Sequence, residues 1–231
     1  MSTSDWIDFW DTKHSIYVSP LHHTVHFRRI AEDIRAYAPQ GGVMLDYGCG
    51  EALSADHVAE PVSRLILCEP APNVRVMLGA RFAGNNKIAV RKPEDIPVMA
   101  AHSMDVIVMH SVAQYLSPQQ FDGLAQVFHR LLKKDGLLVV GDVIPRNVSA
   151  LADARALLRF GSQEGFYGAA LRGLFRTVFS RYWLLRRSLG LTRYDLAEIT
   201  AKLENAGFTA EPAPTNIGHN DKRITLLAHA C

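Results

Sequence analysis

From residue 43 to residue 144, short apolar runs alternate with segments whose apolar residues recur every three or four positions. The short runs predict strands at Val43–Tyr47, Arg64–Glu69, Lys87–Val90, Met104–His110 and Leu137–Ile144. Helices are expected between them, from about Leu53 to Ala59, from Asn73 to Phe82 and from Pro118 to about Lys133. Ser117-Pro118-Gln119-Gln120 marks the start of the last one, with an N-cap serine, proline at N1 and glutamine at N3. Lys134-Asp135-Gly136 reads as its stop. Strands separated by helices imply right-handed crossovers and a parallel sheet covered on both faces.

The tail follows another rule. A helix opened by Thr192-Arg193-Tyr194-Asp195 is expected to run to about Asn205. Two further strands, about Thr209–Ile217 and Arg223–His229, are separated only by Gly218-His219-Asn220-Asp221-Lys222. So short a link forces an antiparallel pair.

Composition narrows the class. A chain of 231 residues, 48% hydrophobic and 21% charged, has enough apolar mass for one sizeable core and is predicted to be a single domain. Its net charge of +2 argues against a nucleic-acid partner. Cys49, Cys68 and Cys231 have no CxxC spacing and read as thiols in a reducing, cytoplasmic setting. No uncharged apolar run reaches the length of a membrane span, and Met1–Trp10 has no secretory apolar core.

The most informative stretch is Asp46-Tyr47-Gly48-Cys49-Gly50-Glu51-Ala52, directly after the first strand. Glycines belong where main chain turns tightly or meets a ligand, and amides of such a loop can cradle a nucleotide. Glu69, 19 residues beyond Gly50, ends the second apolar run, where a carboxylate can accept from a ribose diol. The dinucleotide fingerprint needs a third glycine where this chain has Leu53.

Asp-x-Gly-x-Gly-x-Ala over 46–52 resembles motif I of the class I, Rossmann-like S-adenosylmethionine-dependent methyltransferases, and the resemblance covers about Gly42 to Ile144. It implies a seven-stranded, mostly parallel sheet with an antiparallel C-terminal hairpin, and S-adenosylmethionine as methyl donor. The backbone of Gly48, Cys49 and Gly50 would then pass the methionine part, and Asp46 would order the loop and help hold the ammonium group. Glu69 would take the ribose hydroxyls, Pro70 would lie beside the adenine, and Pro93 and Glu94 would border it. Arg91-Lys92-Pro93-Glu94-Asp95-Ile96-Pro97 departs from the family pattern, because Lys92 stands where an aspartate usually accepts from the adenine amino group. An ammonium cannot accept.

Methyl transfer needs orientation and sometimes a base. His110, which would also touch the methionine end, Asp142 and His219 are the candidate bases. An N-terminal helical arm, residues 1–40, is expected over the donor, bringing Tyr17 and His22 toward it. His22 and His26 have a spacing that can hold a metal, but no third ligand accompanies them, so no metal site is expected.

Residues 145–191 are too many for a plain connection and predict a helical cap over the acceptor pocket. From Pro145 to Tyr194 the segment carries +7 and the rest of the chain −5. Leu171, Leu174, Phe175, Val178, Phe179, Tyr182, Leu185 and Leu189 follow one helical face; Arg172, Arg176, Trp183 and Arg187 follow another. Three readings stand: a structural cap with a solvated arginine face, recognition of an acidic or phosphorylated acceptor, or contact of 171–189 with anionic lipid. The expected activity is methyl transfer to a small-molecule or lipid-like acceptor. The alternatives are a non-catalytic donor-binding scaffold and an NAD(P)-dependent oxidoreductase.

Overall fold

A computed structural model of the chain describes residues 3–12, 16–177 and 190–231. Seven strands form one sheet in the order β3-β2-β1-β4-β5-β7-β6. They are β1 Val43–Tyr47, β2 Arg64–Cys68, β3 Ile88–Arg91, β4 Met104–His110, β5 Leu132–Val143, β6 Phe208–Pro212 and β7 Ile224–Ala230. The first five are parallel, and β7 inserts antiparallel between β5 and β6. The expected architecture is therefore present.

Helices cover both faces. On one, α5 (Pro118–Leu131) and α8 (Leu196–Asn205) bury Phe121, Ala125, Phe128, Ile199 and Leu203 against β4, β5 and β7. On the other, α2 (Pro20–Arg35), α3 (Ala55–Ala59) and α4 (Pro72–Arg81) pack Ile34, Val58 and Leu78 onto β1 and β2. The three- and four-residue spacing of these side chains is what a helix needs to present one apolar stripe to a sheet. At the start of α5, Ser117 Oγ accepts from Gln120 N at 3.2 Å while Gln120 Oε1 accepts from Ser117 N at 2.8 Å, the reciprocal cap that the sequence encodes.

Two boundaries differ from expectation. Helix α5 ends at Leu131, and β5 begins at once because Leu131 and Leu132 are both core residues and Leu132 already pairs with Met104. Lys134-Asp135-Gly136 is consequently an irregular part of the strand, with Asp135 at φ +61°, rather than a helix stop. In the tail, β6 stops at Pro212, since proline cannot extend a ladder with an N–H. The chain from 213 to 223 instead folds over the carboxyl edge of the sheet, tied down by Ile217 N donating to Thr225 Oγ1 and Gly218 N to Asp33.

The N-terminal arm comprises α1 (Thr3–Trp10) and α2. Trp6 and Phe9 of α1 are buried, and the Trp6 ring meets that of Tyr115 at 4.7 Å between centroids. The insertion contributes α6 (Ala150–Gln163) and α7 (Tyr167–Thr177). These two helices brace the arm: Phe160, Phe166 and Ala170 form a small core with Val25 of α2, and α7 passes so close at Gly173 that a Cβ would strike Val18. Within the expected stripe, Leu171 and Phe175 are exposed, as are Arg172 and Arg176 on the other face. Val178, Phe179, Tyr182, Trp183, Leu185, Arg187 and Leu189 lie outside the described residues.

Candidate active site

A cavity of about 1490 Å³ opens between the arm and the carboxyl ends of β1, β4 and β5. Pockets for one drug-sized ligand run roughly 300–1,000 Å³, so a donor and an acceptor fit here together.

At the β1 end, the loop depends on its glycines. Gly48 sits at φ +76°, and a Cβ on it would collide with Val112 Cγ2; Gly50 sits at φ +58°. Three successive amides at the bend are engaged inside the protein. Gly48 N and Cys49 N donate to Cys68 O at 2.7 and 3.2 Å, and Gly50 N donates to Glu69 Oε2 at 2.8 Å. These three amides bind the loop to the end of β2, and beside them the carboxyl groups of Asp46 and Glu69 line the cavity. Glu69, only 4% exposed, accepts on its other oxygen from Ala71 N at 2.8 Å. A carboxylate has about four lone-pair directions, so two remain for a diol. Its 19-residue spacing from Gly50 is the sequence trace of this clamp.

Asp46 and Glu69 both line the cavity. Burial, and then the neighbouring Glu69, raise the Asp46 carboxyl from its ordinary 3.8 to about 7. Burial also raises Glu69, against the backbone donors Ala71 and Gly50 and the Arg75 guanidinium. Two crowded acids gain from a ligand that brings positive charge and hydroxyl donors. Cys49 also lines the cavity, and burial pushes its thiol well up, away from nucleophilic chemistry.

Pro70, Pro93 and Glu94 border the same cavity, as expected. Lys92 does not: its side chain is exposed, and its backbone N donates to Asp95 Oδ2 at 3.2 Å in opening a short 3₁₀ turn. The unusual lysine is thus removed from the ligand surface rather than facing it.

At the β4 and β5 ends, His110, Ser111 and Asp142 line the cavity. Ser111 Oγ donates to Asp142 Oδ2 at 2.7 Å and lies 3.2 Å from His110 Nε2. With its proton committed to Asp142, the hydroxyl can only accept from the imidazole, which fixes the Nε2–H tautomer. His110 Nδ1 is then the basic nitrogen, yet it is buried without a hydrogen-bond partner among the described residues, and a Cβ on Gly141 would lie 2.7 Å from it. Burial lowers the pKa of His110, keeping the ring neutral, with Asp142 acting in the opposite direction. His219 is not among the lining residues; it stacks on Phe160 at 4.6 Å and 11°. Of the three expected bases, Asp142 alone combines a place on the cavity wall, a side chain 20% exposed and an oxygen, Oδ1, with no hydrogen-bond partner among the described residues.

The arm supplies residues that sequence reasoning missed. Trp6, Trp10 and Asp11 line the cavity beside the expected Tyr17. Asp11 Oδ1 accepts from Asn73 N at 2.6 Å, capping α4 and fastening the arm there. His22 is buried and stacked on Phe166 rather than lining the site, and burial lowers its pKa to about 4. Among the described residues no group of three metal-ligating side chains occurs. No residue of α6 or α7 lines the cavity; these two helices support the arm, and of the described insertion Leu191 reaches the cavity wall.

The comparisons agree with this geometry. Residues 45–140 match the family described as a methyltransferase domain. No curated protein matches the chain in sequence. Among solved structures, the N-methyltransferase NodS of Bradyrhizobium japonicum, in complex with S-adenosyl-L-homocysteine, superposes with a TM-score of 0.61 at 15% identity, over 99% of this chain and 97% of that one. The DhpI complex with S-adenosylhomocysteine gives 0.61 at 12% identity, over 98% and 95%. A phosphoethanolamine N-methyltransferase of Haemonchus contortus gives 0.53 at 16%, over 62% of this chain and 32% of that one. With the sheet order and the glycine bend in agreement, the chain has the Rossmann-like fold of these methyltransferase structures, and its residues 45–140 match a methyltransferase domain.

Proposed function

We propose that the chain methylates a small molecule held in the apolar half of this cavity, with Asp46 and Glu69 binding the donor. The observation that carries the donor assignment is the loop's setting: the Gly48, Cys49 and Gly50 amides are held by Cys68 and Glu69, and two acids, Asp46 and Glu69, line the cavity there. A pyrophosphate would need free N–H groups and would meet negative charge, which disfavours a nicotinamide dinucleotide. A donor with an ammonium, a sulfonium and a ribose diol supplies what these acids lack. When bound, S-adenosylmethionine provides a methyl group on a positively charged sulfur, a good leaving group. Asp46 would face the ammonium group, Glu69 the ribose, and Pro70, Pro93 and Glu94 the adenine.

The acceptor side is walled by Trp6, Tyr17, Val112, Tyr115, Leu124 and Ile144. Such walls suit an apolar body and exclude water from the reacting centre. Three of the described arginines of this segment are engaged elsewhere, and Arg155, Arg172 and Arg176 are exposed and do not line the cavity. Arg146 pairs with Glu198 at 2.7 Å, Arg159 with Asp221 at 3.5 Å, and Arg193 donates to the Val148 carbonyl at 2.8 Å. This favours the structural reading of the insertion over phosphate recognition in the pocket. Among the described residues no helix is long and apolar enough to cross a membrane. Three free thiols support a reducing, cytoplasmic setting.

Calorimetry with S-adenosylmethionine, S-adenosylhomocysteine and NAD tests the reading. Both sulfur compounds are expected to bind and NAD to give no heat; NAD binding alone overturns it. Donor binding without S-adenosylhomocysteine release over a broad acceptor panel would favour the scaffold alternative.

A further inference from the structure

Resting on that reading, we infer that the acceptor is an amine on an apolar body, held as its ammonium by the Asp142 carboxylate. Asp142 lies at the end of β5, and β4 separates β5 from β1 in the sheet. Strand spacing puts the two strand ends about 10 Å apart. The donor's methionine end, over the β1 loop, can therefore reach toward an acceptor at Asp142.

The side chains there sort by what they can still bind. Ser111 donates its hydroxyl hydrogen bond to Asp142 Oδ2. His110 spends Nε2–H on Ser111, and its other nitrogen is buried. Arg223, the one arginine lining the cavity among the described residues, is turned to Asp153 at 3.0 Å and reaches Asp142 Oδ2 only at 3.8 Å. Asp142 Oδ1 has no hydrogen-bond partner among the described residues, and the side chain is 20% exposed. The open group at the acceptor end is thus an acceptor atom on an acid.

The field around it has the same sign. Among the described residues, Asp11, Asp46, Glu51, Glu69, Glu94 and Asp142 line the cavity, against Arg223 and no lysine. A carboxylate or phosphate acceptor would enter against these charges; an ammonium is drawn in. The backbone fixes the carboxylate's direction. Asp142 sits at φ +60° and Ser111 at φ +57°, and Asp142 N donates to Asn216 Oδ1 at 3.2 Å. Ser111 is a positioning residue, orienting the carboxylate through the bond to Oδ2.

In the reaction, Asp142 accepts the proton that the ammonium must shed before its lone pair is free, and passes it to solvent at the cavity mouth. The amine lone pair forms the new nitrogen–carbon bond as the carbon–sulfur bond breaks. That bond's electrons leave on sulfur, which becomes a neutral thioether.

The test loads the protein with S-adenosylhomocysteine and titrates matched probes by calorimetry: phenethylamine, phenethyl alcohol and phenylpropionate, then alkylamines with their alcohol and carboxylate counterparts. Failure of the first loading step would sink the donor reading and not this one. With loading achieved, amines are expected to bind at least tenfold more tightly than their matched alcohols and carboxylates. Asp142→Asn should erase that preference while leaving S-adenosylhomocysteine affinity within twofold. Asparagine tolerates the left-handed backbone at this position, so the variant is expected to fold. Ser111→Ala should raise KM for the amine more than it lowers kcat, and should add nothing further in an Asp142→Asn background. Equal or tighter binding of the carboxylates, binding by no amine, or an unchanged preference in Asp142→Asn would overturn the proposal.

Discussion

The two ends of the cavity are built by opposite means. At the β1 end, main chain does the shaping: a seven-residue bend, two glycines at positive φ and one acid on the neighbouring strand hold one another in place. At the β4 and β5 ends, side chains from remote segments meet, namely the arm, the residues after β4, Asp142 and Arg223 of the final loop. The donor end is therefore rigid and intolerant of substitution. The acceptor end can change its ligand by exchanging side chains without disturbing the frame. This is how one fold serves many acceptors while keeping one donor.

The largest expected effect breaks the donor end. Gly48→Ala forces a Cβ into Val112 at a backbone angle that L-residues avoid, and should cost about 2–4 kcal/mol of stability with loss of donor binding. Thermal denaturation with calorimetry would read both. Glu69→Ala comes next. It removes the partner of two backbone N–H groups as well as the proposed diol acceptor, and should weaken S-adenosylmethionine binding by about 1–3 kcal/mol. Unchanged affinity would mean that the sugar is held elsewhere.

A pH series sharpens the same contrast. With its carboxyl raised to about 7, Asp46 binds a proton that the unfolded chain has already released above 3.8. Its contribution to stability without ligand is complete below 3.8 and is lost as pH rises through 7. A cationic donor favours the ionised form, so its binding should release a proton below pH 7, and affinity should climb with pH and level off above it. Asp46→Asn should flatten that slope, as measured by calorimetry in buffers of different ionisation heat.

The smaller effects lie toward the arm and the rim. Asp11→Ala should cost about 0.5–2 kcal/mol through the lost α4 cap. It should also speed hydrogen exchange in α1 while leaving exchange at Gly48–Gly50 unchanged. Lys92→Ala, at an exposed position outside the cavity, should change donor affinity by less than about 0.5 kcal/mol. A larger loss would restore the lysine to the adenine site.

This division also decides what could be read from the residues alone. The bend was legible because Gly48, Gly50 and Glu69 lie within 22 residues and each answers a local demand. Helix α5 was legible because its cap is encoded in four consecutive residues. The role of the Gly48 and Cys49 amides was not, since their partner is the carbonyl of Cys68, and a carbonyl leaves no mark in a sequence. Ser111 was missed for a related reason: a serine after a strand has many uses, and only the fold puts Asp142, 31 residues on, against its hydroxyl. The placement of α6 and α7 was not legible, because an apolar stripe is equally compatible with roofing a pocket and with bracing an arm. Only tertiary contacts such as Gly173 on Val18 separate the two.

The most direct test of the donor site is a crystal structure with S-adenosylhomocysteine bound. The account predicts both ribose hydroxyls on the Glu69 carboxylate, the amino group facing Asp46, and Gly48–Gly50 unmoved with their amides still bonded to Cys68 and Glu69. An adenosyl group seated away from Glu69, or loop amides turned outward to the ligand, would contradict it.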